Sequence, residues 1–138
     1  MPEPEPTLVA CLTPPGAGAI ATLGVRGPRA WEAARRLFRP ASRALPERPA
    51  PGAFWFGRFG SDEFADEVVL CLREWEPVPH VEVHCHGGAE VVRWLTGLLA
   101  EQGCVPVEPS RWLRATPSAP SPPSPLPRGE RGERAPSP

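Results

Sequence analysis

The sequence predicts one small α+β domain, a mixed β-sheet with two helices packed on it. All 5 Trp, all 5 Phe, all 4 Cys and most aliphatic residues of the 138-residue chain fall within residues 7–116, which is enough for one core and too little for two. Within that stretch, short runs that alternate apolar and polar residues, as strands do, are interrupted twice by apolar residues at helical spacing. The order read from these patterns is β-β-α-β-β-β-α-β.

Residues 1–6 alternate Pro with Glu and are expected to form a disordered lead-in. Residues 7–12 are a short apolar strand, ended by Thr13-Pro14-Pro15-Gly16, a turn that Pro stiffens and Gly permits. Residues 20–26 form a second strand, with Ile20, Thr22, Gly24 and Arg26 on one face and Ala21, Leu23 and Val25 on the other. Gly27-Pro28 starts a helix that runs to about Phe38, because Pro is pre-set for a first helical turn. Trp31, Ala34 and Leu37 or Phe38 make its apolar stripe, while Arg29, Glu32, Arg35 and Arg36 stay wet. Residues 39–52, with four prolines, read as a linker or long surface loop.

Residues 54–59 and 67–73 read as a hairpin turned at Gly60-Ser61-Asp62. A further strand over residues 81–85 buries Val81, Val83 and Cys85 and turns Glu82, His84 and His86 the other way. Gly87-Gly88 leads into a helix over residues 89–102, with Val91, Trp94, Leu95, Leu98 and Leu99 inward and Gly103 as its stop. Residues 104–107 form the last strand. Residues 117–138 hold 8 prolines and no aromatic side chain, the composition of a disordered tail.

Composition excludes several function classes. Up to Thr116 there are 12 Arg against 14 acidic residues, and the tail adds 3 Arg against 2. Neither part has the clustered positive charge that binds a phosphate backbone, so contact with a nucleic acid is at most indirect. The chain has no Lys, and a Walker-type phosphate loop needs one, so no GTP site is expected. The cysteines show no CxxC spacing and the start lacks signal-peptide features, which points to a reducing, cytoplasmic setting. No apolar run approaches the ~18 residues of a membrane span.

Two segments hold the chemistry. TPPGAGAI, residues 13–20, is a Gly-containing loop without the GxGxxG order, and reads more simply as a strand-to-strand turn. VEVHCHGG, residues 81–88, is richer. His84, Cys85 and His86 raise a zinc reading, but strand alternation sends Cys85 away from both histidines, leaving His84 and His86 as two ligands of an incomplete set. The same stretch places Gly87 and Gly88 before a helix whose first N–H groups are unpaired, with Glu82 on the strand face beside them. A carboxylate accepts two parallel hydrogen bonds, which suits the amino-pyrimidine edge of a pterin, and the plainer alternative is a surface Glu. No nucleophile elbow is present, so catalysis by this chain alone is not expected.

These two segments, extended as VACLTPPGAGAIATLGVRGPRAWEAARRLF (9–38) and as DEVVLCL followed by HVEVHCHGGAEVVRWLTGLLAEQGCVPVEP (66–109), resemble the N-terminal domain of the MnmE (TrmE) family of tRNA-modification GTPases. The resemblance implies a fold related to the tetrahydrofolate-binding part of aminomethyltransferases, binding of 5-formyltetrahydrofolate and homodimer formation. It also implies a flavoprotein partner of the MnmG (GidA) family and a place in wobble-uridine modification. Glu82 matches the family's folate-contacting Glu, and the cofactor site implied spans Glu82, Gly24, Arg26, His86, Gly87 and Gly88. The family's folate-contacting Arg falls at Gly24, with Arg26 two residues on and on the same strand face, and the family's later folate-contacting Lys has no counterpart. The central helical and G domains of the family are missing from this sequence, so the resemblance implies a shortened form. The remaining alternatives are a dimerising module without folate and a small zinc protein.

Overall fold

The computed structural model describes residues 5–13 and 19–114. Most of the expected lead-in, the turn after Thr13 and the whole Pro/Ser-rich tail lie outside the described residues.

The elements in chain order are β1 (Leu8–Cys11), β2 (Ile20–Arg26), α1 (Ala30–Leu37), β3 (Phe38–Pro40), β4 (Phe54–Gly60), β5 (Ala65–Glu74), β6 (His80–His86), α2 (Ala89–Glu101), β7 (Val105–Pro106) and α3 (Pro109–Arg114). The strands form one sheet in the order β3-β4-β5-β6-β2-β1-β7. Each neighbouring pair is antiparallel except β1 with β7, which is parallel. The fold is α+β with a mixed sheet.

The alternation read from the sequence sets the two faces. Ala21, Leu23 and Val25 of β2, Val68, Leu70 and Leu72 of β5, and Val81, Val83 and Cys85 of β6 are buried in one core. Helix α1 closes that core with Ala30, Trp31, Ala33, Ala34 and Leu37, while Arg29, Glu32, Arg35 and Arg36 are exposed. Helix α2 adds Leu95 and Leu99, both fully buried. It stops at Gly103, whose φ of +99° is the left-handed conformation that ends helices cheaply only for glycine.

Three expectations need correction. The first helix begins at Ala30 rather than Pro28, because Gly27 and Pro28 are used up in the turn that lets Ala30 N–H bond the Gly27 carbonyl at 3.1 Å. Phe38 opens the edge strand β3 instead of ending the helix; Pro40 is tolerated there because an edge strand has a side with no ladder to complete. A third helix, α3, lies on the sheet face opposite the other two, where Trp112 packs on Leu8 and Ala10. Proline begins it, as the first helical position permits.

The proline-rich stretch between β3 and β4 is tied down rather than free. Trp31 donates its indole N–H to the Pro46 carbonyl at 3.2 Å and packs against Trp55 and Trp75 at 5.6 and 6.5 Å. Arg43 and Arg48 lie over the latter two rings, a placement the ring quadrupole favours.

Candidate functional site

The candidate site forms on the sheet face that α1 and α2 leave uncovered. Strand β6 runs between β2 and β5, and Glu82 stands opposite Gly24 on one side and Cys71 on the other. Its side chain is 16% exposed. Alternation along β6 also places His80, His84 and His86 on this face, so Glu82 has a histidine two residues away in each direction.

The short polar contact of Glu82 is with His84, Nε2 to Oε1 at 3.1 Å. Arg73 Nε and His80 Nε2 each lie 4.0 Å from Oε2, too far for a hydrogen bond. His80 Nε2 is buried without a hydrogen-bond partner among the described residues. Burial pushes the His80 pKa below the usual histidine value, against the opposing pull of Glu82. Its ring meets the Trp112 ring edge-on at 4.9 Å.

Gly24 is closely covered. A Cβ at this position would lie 2.7 Å from Leu12 Cδ1 and 2.8 Å from Trp112 Cζ2, so the space a side chain would occupy is already filled. Arg26 shares the face: it is buried opposite His80 in the ladder and reaches Glu74 at 3.6 Å.

The rest of the expected site is divided from Glu82. His86 is 65% exposed and engages Asp66, Nδ1 to Oδ1 at 2.8 Å. Gly87 gives its N–H to the Ala19 carbonyl at 2.9 Å. It opens instead into a cleft of about 400 Å³ with Cys11, Thr13, Ala21, Ala89 and Arg93. Ala21 belongs to the helix-side core and Cys11 packs against it, while Val107 and Pro109 of the same cleft belong to the α3 side; Glu82 does not line it. Gly88 is the exposed N-cap residue of α2; an added Cβ there meets nothing within 4 Å. His84 and His86 share a face yet serve separate carboxylates. Among the described residues, no group of three or more His, Cys, Asp and Glu side chains is placed to hold a metal.

Sequence reasoning missed Thr22, Arg73, Asp66 and Trp112. The alternation of 20–26 already put Thr22 on the right face, but which residue of β6 it meets depends on a strand register that no local pattern encodes.

The sequence model of the family described as GTP-binding protein TrmE N-terminus matches residues 7–113. The chain belongs to this family. TrmE N-terminal similarity also runs through the curated relatives. The tRNA modification GTPase MnmE of Thermotoga maritima is 36% identical over 112 residues, 78% of this chain and 24% of the relative. Those of Enterococcus faecalis (30% over 115 residues, 78% and 24%) and Chlorobaculum tepidum (32% over 120 residues, 83% and 25%) agree. The chain spans about a quarter of the length of these relatives. As a TrmE N-terminal domain it therefore presents a sheet face centred on one shielded carboxylate. Among its described residues no helix is long and apolar enough to cross a membrane.

Proposed function

We propose that this domain binds a reduced folate of the 5-formyltetrahydrofolate type and forms a homodimer, in the setting of tRNA wobble-uridine modification. Glu82 is the anchor for the pterin. The observation that supports this is the state of its carboxylate: it sits mid-sheet, only 16% exposed, with His84 on Oε1 and no hydrogen bond to Arg73 or His80 on Oε2. A carboxylate has about four acceptor sites, so one bond from His84 leaves enough for two adjacent N–H donors. The GTPase activity and the MnmG-type flavoprotein partner belong, in this reading, to the larger assembly in which such a domain works. The domain's place there is cytoplasmic.

Titration with 5-formyltetrahydrofolate, followed by tryptophan fluorescence, tests it directly. A saturable change is expected, with affinity falling at least about tenfold in Glu82→Ala, the scale of a lost hydrogen bond to a charged group. No response in the parent protein overturns the folate assignment.

A second reading, a dimerising module without folate, is favoured by one observation. Position 24, where the resemblance expects a folate-contacting Arg, is a glycine whose side-chain space Trp112 and Leu12 occupy. A dimer in sedimentation equilibrium that ignores added folate selects this reading.

A further inference from the structure

The short contact of Glu82 is one end of a longer chain. Thr22 Oγ1 lies 3.0 Å from His84 Nδ1, and His84 Nε2 lies 3.1 Å from Glu82 Oε1. The sheet explains the geometry: Thr22 stands directly opposite His84 in the β2–β6 ladder, and Glu82 is two residues along β6 on the same face. The three groups come from segments about 60 residues apart in the chain.

The hydrogen-bond roles follow from chemistry. A carboxylate only accepts, so in the neutral imidazole the proton sits on Nε2 and Nδ1 is left as an acceptor. The Thr22 hydroxyl is the donor that fills it, and the second ring nitrogen thereby sets the state of the first. Thr22 itself is firmly held. Its carbonyl accepts the Leu12 N–H at 2.8 Å and its N–H meets Thr13 Oγ1 at 3.3 Å.

We infer that Thr22 is a positioning residue: through His84 it fixes the orientation of the Glu82 carboxylate and so decides which lone pairs a ligand meets. The ligand named rests on the pterin reading above, while the positioning itself does not. The order hydroxyl, imidazole, carboxylate is also that of a hydrolytic triad. Here it serves orientation: the Thr22 N–H is turned to Thr13 Oγ1, so among the described residues it is not offered to an oxyanion beside the hydroxyl. Without the hydroxyl, Glu82 still draws the His84 proton to Nε2, but nothing holds Nδ1; the ring is then free to turn, and Glu82 loses a donor fixed in place. A ligand then has to order the carboxylate as it binds.

The test uses the full chain labelled with nitrogen-15 and carbon-13, in which two-bond proton–nitrogen spectra resolve the three histidines and His84→Gln assigns one of them. His84 is expected as the Nε2-protonated tautomer. Thr22→Val, which keeps the shape and removes the hydroxyl, moves the Nδ1 resonance toward a free acceptor and shifts the Glu82 carboxyl carbon; Thr22→Ser restores both. Affinity for 5-formyltetrahydrofolate falls about three- to tenfold in Thr22→Val and recovers in Thr22→Ser. An unchanged His84 spectrum in Thr22→Val overturns the inference, as does a Ser variant that behaves like Val. If the parent protein binds no folate, the pterin reading falls, and the His84 and Glu82 resonances still decide whether Thr22 positions the carboxylate.

Discussion

At Gly24 the ring of Trp112 and the tip of Leu12 close over the backbone of β2, where an added methyl group would sit under 3 Å from each. Gly24→Ala is therefore an overpacking change, expected to cost about 1–3 kcal/mol in urea unfolding. Its cause can be isolated: in a Trp112→Ala background one of the two obstructing atoms is gone, so the alanine at position 24 costs less, and the difference is the coupling between the two sites. Equal costs in both backgrounds would mean that Leu12 alone resists. The same contact decides how an Arg introduced at position 24 behaves, since it has to displace Trp112 before it reaches Glu82. What makes this position a glycine is the element above it, not the strand that contains it.

Among the elements, those with several periods of pattern were legible and those held by one contact were not. The bounds of β2 match the reading residue for residue; β6 alternates strictly, whereas β2 is buried on both faces from Leu23 to Arg26. Strand β3 has three residues, one of them Pro40, and α3 has six with only Trp112 buried; neither is long enough to show a period. The stretch after β3 was read as a loop from its prolines, correctly, but its attachment depends on Trp31, whose indole reaches Pro46 from another element. Trp31→Phe keeps most of the ring packing and removes that bond, so the expected cost is about 1 kcal/mol. Limited proteolysis should then cut within residues 41–53 sooner than in the parent protein. An unchanged cleavage pattern would show that Arg43 and Arg48, stacked on Trp55 and Trp75, suffice to hold the stretch.

For the whole molecule, one core on one side of the sheet was legible, as was membership of the family, because both rest on long segments. The candidate site was legible only in part: Glu82 and its face could be read, but the Gly24 and Thr22 registers join strands far apart in sequence. The core supplies its own test of cooperativity. Cys85 and Cys104 are buried, and burial pushes both thiols up to about 11. At neutral pH neither is a thiolate nor within reach of reagent. Pulsed iodoacetamide labelling, read residue by residue in a mass spectrometer across a urea series, is expected to modify both cysteines together along the global unfolding curve. Labelling of Cys104 at lower urea than Cys85 would reveal that the segment after α2 opens independently.

The strand order has a consequence for synthesis. Strands β1 and β2 leave the ribosome first, yet the other edge of β2 is completed by β6, which starts at His80, and the other edge of β1 by β7, which starts at Val105. A nascent chain thus carries a β1–β2 pair with two bare edges until β6 and β7 emerge, the kind of exposed template that invites pairing with a neighbouring chain. Its sheet closes only when residues as far as Pro106 have emerged, so the first strands made wait for the last one to complete their pairing.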